Sequence, residues 1–173
     1  MDTRAPRPDP KILPELKGGD LYRKAMEPLR GKVSIYDGGQ AFLSQFIEVK
    51  REQGLLFAAF WCMSEVCNGG FHQFFSNPTG VLAPEAIRGF EFIGMSEAAR
   101  IVAKAVERLG APYPRDQQKR NEALAALGRG TDSEEEEGPF PDLDQEFYKW
   151  SGSTEFASQA DDFVRRNLDL FFK

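Results

Sequence analysis

Apolar positions recur at helical spacing along most of this chain. From Gln40 onward, Phe42, Leu43, Phe46, Ile47 and Val49 lie three and four residues apart, with Ser44, Gln45, Glu48, Lys50, Arg51 and Glu52 on the other face. This predicts an amphipathic helix ending at Gly54. Residues 55–67 are apolar on nearly every side. Such a helix is buried all round, so it is expected at the centre of the core. Pro84 and Glu85 suit the first turn of another helix, running through Ile87, Phe90 and Ile93. Ser96 and Glu97 open a helix with the stripe Ile101, Val102, Ala105, Val106 and Leu109, closed by Gly110. Further helices are expected over residues 114–127, 143–150 and 157–172. No stretch alternates with period two at strand length, and no internal repeat is present. The expected fold class is all-α: one multi-helix domain, residues 20–173, built around a buried central helix.

The first nineteen residues behave differently. Pro6, Pro8, Pro10 and Pro14 precede Gly18-Gly19, which forbids a regular helix. Residues 1–19 are read as an extended arm, laid over the domain or over a partner. Asp20 is placed to cap a short helix ending near Gly31.

Composition narrows the class. Of the 173 residues, 41% are hydrophobic and 28% charged, as expected of a soluble globular domain. The longest apolar run, residues 55–63, is far short of the roughly 20 residues that span a bilayer. With no apolar leader at its start, the chain is expected to be cytoplasmic. Cys62 and Cys67 are spaced for neither zinc nor redox chemistry, and are read as two buried thiols. The single His leaves no metal-ligand cluster at recognisable spacing, so no metal or cofactor is expected. No phosphate-binding loop, nucleophile elbow or zinc-protease motif is present.

The net charge of -5 conceals an asymmetry. Residues 1–130 carry 18 basic and 15 acidic side chains, whereas residues 131–173 carry 4 and 12. Asp132, Glu134, Glu135, Glu136, Glu137, Asp142, Asp144 and Glu146 put eight acids into fifteen residues without one base. They form a candidate partner-binding surface; a solvated loop is the plainer reading. An EF-hand is excluded, because the alignment that puts Gly138 sixth starts on Ser133 and meets Pro139 and Pro141. Upstream, Arg100, Lys104 and Arg108 form a basic stripe, followed by Arg115, Lys119 and Arg120. The acidic segment and this stripe are expected to attract each other, within one chain or across a dimer. Without interleaved aromatics, the stripe is not read as a nucleic-acid surface.

The densest chemistry lies in residues 65–80. Gly69-Gly70 can take positive φ, which would end the central helix and reverse the chain. Phe71, Phe74 and Phe75 stand at i, i+3 and i+4, so one helical turn sends all three rings to one side, away from His72, Gln73 and Ser76. Asn77-Pro78-Thr79-Gly80 fits a type I turn. Glu65 sits late in the apolar helix and needs partners, since a bare buried carboxylate is costly. Asn68 and the N–H groups of Gly70 and Phe71 are the nearest candidates. Two readings stay open: a carboxylate that locks the corner, or a small-ligand or catalytic pocket lined by Glu65, Asn68, His72 and Gln73.

The ordered set Glu65, Val66, Asn68, Gly69, Gly70, Phe71, Gln73, Phe74, Phe75, Asn77 and Gly80 resembles the bacterial DNA-mimic protein family. Leu143, Asp144, Glu146, Phe147 and Tyr148 are similar to it as well. The resemblance spans roughly residues 20–172. It implies an all-helical, often dimeric protein without enzymatic activity, whose acidic surface occupies a DNA-binding protein. Duplex DNA carries one charge per about 1.7 Å of axis, so a mimic needs closely spaced carboxylates. The chain departs from the pattern in its modest net charge and its slightly basic first 130 residues. An immunity- or antitoxin-type interaction protein is the alternative reading.

Overall fold

The computed structural model describes residues 12–128 and 138–172. Every regular element among them is helical: α1 Asp20–Met26, α2 Gly39–Ile47, α3 Arg51–Ser76, α4 Ala83–Phe92, α5 Ser96–Leu109, α6 Gln117–Gly128, α7 Pro141–Trp150, α8 Ser153–Arg166 and α9 Leu168–Phe172. Short 3-10 turns occupy Leu13–Glu15, Glu27–Leu29 and Pro78–Leu82. The fold is compact and all-α, with α3 at its centre. α1, α4, α6, α7, α8 and α9 all pack against it.

α3 takes this place because its stretch from Leu55 to Val66 is apolar on nearly every side. Leu55, Leu56, Ala58, Ala59, Cys62, Met63 and Val66 are buried along it. Burying one such large side chain contributes about 1.5–3 kcal/mol. Aromatic rings fill the space around it: Phe90 meets Phe147 and Phe156 edge to face, with centroids 5.8 and 6.0 Å apart.

Several boundaries differ from those the sequence predicts. The amphipathic helix stops at Ile47, not Gly54, and the chain turns through Glu48–Lys50. Gly54 lies buried inside α3 instead, against Phe46 and Val49. Gly69-Gly70 does not end the central helix outright. It kinks it, with Gly70 at φ +72°, and α3 resumes through Ser76. The final helix is divided at Asn167 into α8 and α9. Asp20 does not cap α1. Buried Asp161 does so from α8, accepting from the N–H groups of Gly19 (2.8 Å) and Tyr22 (2.9 Å). Of the expected arm, residues 1–11 lie outside the described residues, while Leu13 is buried.

Candidate functional site

The kink in α3 creates a second helix N-terminus in the middle of the molecule. The Phe71 N–H there would have no intrahelical partner. It donates instead to Asp144 Oδ1 of α7, 2.7 Å away. Gly70 is required at the joint: its φ is positive, and a Cβ would stand 2.5 Å from Asp144 Oδ2. Burial pushes the Asp144 carboxyl above the usual carboxylate range, partly opposed by the Phe71 N–H.

Beyond the kink, Phe71, Phe74 and Phe75 are fully buried, as their spacing predicts. Phe71 and Phe75 stack on each other at 5.9 Å. Phe140 packs on both, and Phe147 meets Phe71 edge to face at 5.5 Å. The rings thereby fasten α7 to α3.

Glu65 closes the other side of the corner. Its Oε2 accepts from Gln73 Nε2 (2.7 Å) and Asn77 Nδ2 (2.9 Å), and its Oε1 from Thr79 Oγ1 (3.2 Å). These are not the partners that sequence proximity suggests. Asn68 reaches Gln73 instead, 3.2 Å away, and the Phe71 N–H is taken by Asp144. One carboxylate thus ties the end of the apolar helix to the helical turn after the kink and to the 3-10 turn that follows. The Gly80 N–H donates to the Asn77 carbonyl at 3.1 Å, the bond expected of a type I turn.

Arg120 is the largest departure from the sequence reading. It is not part of an exposed basic stripe but fully buried in α6. Nε donates to the Phe75 carbonyl (2.8 Å), Nη2 to that of Asn77 (2.9 Å) and Nη1 to that of Arg115 (2.6 Å). The first two lie at the C-terminus of α3, where carbonyls lack intrahelical donors and the helix dipole favours a cation. Gly80 makes room: a Cβ would meet Phe74 O at 2.7 Å and Arg120 Nε at 2.8 Å. The Tyr113 hydroxyl donates to the Gly80 carbonyl at 2.6 Å, and burial pushes this phenol up. Burial pulls the Arg120 guanidinium below its ordinary value. No local sequence signal marks Arg120, because two of its three acceptors are more than forty residues away.

Glu65, Asn68, Gln73 and Asn77 line one open cleft of about 650 Å³ with Arg23 and Cys67. His72 does not join them; it is exposed beside Gly138. Cys67 is exposed rather than buried, its thiol turned to the Ser151 carbonyl at 3.6 Å, whereas Cys62 is buried. Among the described residues, no three His, Cys, Asp or Glu side chains are arranged to hold a metal ion. No described helix is long and apolar enough to cross a membrane.

Of the acidic segment, Asp132, Glu134, Glu135, Glu136 and Glu137 lie outside the described residues. The other three engage the protein itself. Asp142 forms a two-pronged pair with Arg108 (2.6 and 2.8 Å), Glu146 pairs with Arg100, and Asp144 holds the kink. The hydrogen bond from Arg108 holds Asp142 below the usual carboxylate range, and Arg100 does the same for Glu146. The expected attraction between acidic segment and basic stripe is therefore present within one chain for these two pairs.

The sequence model of the DMP19-like protein family matches residues 48–167, more than two thirds of the chain. The chain belongs to this family. No curated protein and no solved structure matches it. The span assigned to the DMP19-like family runs from just before α3 to the end of α8. It contains the whole Glu65–Gly80 corner, Arg120, and the helix α7 that the corner holds.

Proposed function

We propose that this DMP19-like chain is a non-enzymatic regulator that binds another protein, occupying a DNA-binding protein through its acidic segment. Family membership carries this reading. The charge distribution supports it, since the acids cluster in residues 131–173 while the rest of the chain is slightly basic. So does the way α7 is held. Arg108 grips Asp142, and Arg108 Nη1 also takes the Pro139 carbonyl at 3.1 Å. The Phe cluster anchors Phe140 and Phe147. These contacts hold residues 139–147, which follow Glu134–Glu137 in sequence. In this reading Glu134, Glu135, Glu136, Glu137 and Asp132 form the contact surface. Asp142, Asp144 and Glu146 brace it, with Asp142 and Glu146 already paired to Arg108 and Arg100 within the fold. Glu65, Asn68 and Gln73 shape the corner without catalysing a reaction, because the Glu65 carboxylate is committed to three donors.

The test is capture of a DNA-binding protein from native-host extract, challenged with duplex DNA and with salt. Release by duplex DNA, and weakening as salt rises, is the expected result. Capture indifferent to both would overturn mimicry and point to an immunity- or antitoxin-type partner.

A further inference from the structure

The cleft of about 650 Å³ beside the corner has two opposite charges in its lining, Glu65 and Arg23. Its size falls in the roughly 300–1,000 Å³ range of small-molecule sites. Asp142, Asp144 and Glu146 do not line it, so it is separate from the acidic segment. Glu65 is held by neutral donors: the amides of Gln73 and Asn77, which line the cleft with it, and the Thr79 hydroxyl. Among the described residues no Lys or Arg pairs with this carboxylate. A carboxylate offers about four acceptor sites, so three donors leave about one open. Asn68 and Asn77 donate from their side-chain nitrogens to Gln73 and Glu65, and their side-chain carbonyl oxygens receive no donor among the described residues. Glu65, Asn68 and Asn77 therefore offer three acceptors, one of them charged. A primary ammonium carries three donors, and a charged donor bonds most strongly to a charged acceptor.

Arg23 supplies the complement. Its side chain is 57% exposed and lies over the Tyr22 ring, 5.2 Å from the centroid. Its polar contacts are long: 3.5 Å to the Gly18 carbonyl and 3.8 Å to Asp20. The guanidinium fork is therefore open to a carboxylate, which it can grip with two parallel bonds. The lining also includes Tyr22 and half-buried Phe60, whose rings lie 5.9 Å apart. These rings suit an apolar side chain rather than another polar group. One cleft thus offers a site for an ammonium, a site for a carboxylate and an apolar surface.

We propose that this cleft binds a free apolar α-amino acid, its ammonium on Glu65, Asn68 and Asn77 and its carboxylate on Arg23. The test is a chemical-shift titration of the isotope-labelled full-length protein with L-leucine and with L-phenylalanine. Each is compared with its amine analogue (3-methylbutylamine, 2-phenylethylamine) and its acid analogue (4-methylpentanoate, 3-phenylpropanoate). At least one amino acid should bind, and both of its analogues should bind about tenfold more weakly, since each lacks one charge-assisted contact. Arg23→Gln should weaken the amino acid about tenfold and leave the amine analogue unchanged. Asn68→Ala, which leaves the bonds to Glu65 in place, should weaken amino acid and amine alike by about threefold. Glu65→Gln, in protein shown to be folded by circular dichroism, should weaken both further. No shift with either amino acid at millimolar concentration would overturn the proposal. So would an amine analogue that binds as tightly as its amino acid, or binding that neither Arg23→Gln nor Asn68→Ala alters.

Discussion

The buried guanidinium of Arg120 donates to the carbonyl of Phe75 at 2.8 Å, with no carboxylate among its hydrogen-bond acceptors. A cation without an acidic partner is tolerated here because three carbonyls surround it, two of them at the negative end of α3. Removing it leaves those carbonyls buried and unanswered, at about 1–3 kcal/mol each. Arg120→Ala should therefore destabilise the protein by at least about 3 kcal/mol in urea unfolding. Arg120→Lys should recover only part of this, since an ammonium cannot present the planar fork. A loss below about 1 kcal/mol for the alanine variant would contradict this role.

Glu65 is expected to act as a lock on the corner. Glu65→Gln keeps the shape but sets an amide NH2 either against the donors Gln73 and Asn77 or against the Thr79 hydroxyl. A cost of about 1–2 kcal/mol is expected in urea unfolding. Asn68→Ala should cost much less, because exposed Asn68 makes a single bond to Gln73.

Much of this corner is legible in the sequence, and the limits are physical. The Phe71, Phe74, Phe75 spacing fixes one face of one turn, so burial of all three follows from local geometry. Asn77-Pro78-Thr79-Gly80 likewise carries its own turn chemistry. Gly54 misleads because a glycine that admits a neighbouring helix cannot be told from one that ends a helix; only Phe46 packed against it distinguishes them. Arg120 and Asp161 are illegible for another reason. Their roles are set by groups 43 and 45, or 139 and 142, residues away, and each reads locally as a surface charge.

The Asp144 cap makes a pH-dependent prediction. Its folded-state carboxyl lies above the ordinary value, so its contribution is full below the unfolded value and is lost as pH rises through the folded one. Asp144→Asn keeps an acceptor for the Phe71 N–H without the charge. Its melting temperature relative to the parent should therefore improve as pH rises through the folded-state value of the Asp144 carboxyl. Asp144→Ala removes the acceptor and should cost about 1–2 kcal/mol at low pH, and less as pH rises. Gly70→Ala should destabilise as well, through positive φ and contact with Asp144.

The Arg108–Asp142 pair has the opposite sign. Asp142 is held below its ordinary value, so its stabilisation is present above the unfolded value and lost as pH falls through the folded one. With Asp142 60% exposed, the coupling from a double-mutant cycle should be about 0.2–1 kcal/mol. It should shrink in high salt. A coupling unchanged at 1 M salt, where the screening length is about 3 Å, would mean that the pair is not acting electrostatically.

The reading of this DMP19-like chain as a mimic separates the corner from the contact surface, and capture of a partner tests that separation. Wild type, Glu65→Gln, and a variant with Glu134, Glu135, Glu136 and Glu137 all changed to Gln are compared for capture of a DNA-binding protein from native-host extract that duplex DNA displaces. Wild type and Glu65→Gln should capture it alike, and the fourfold glutamine variant should lose it. Full capture by the fourfold variant, or loss on Glu65→Gln in protein that remains folded, would contradict the account.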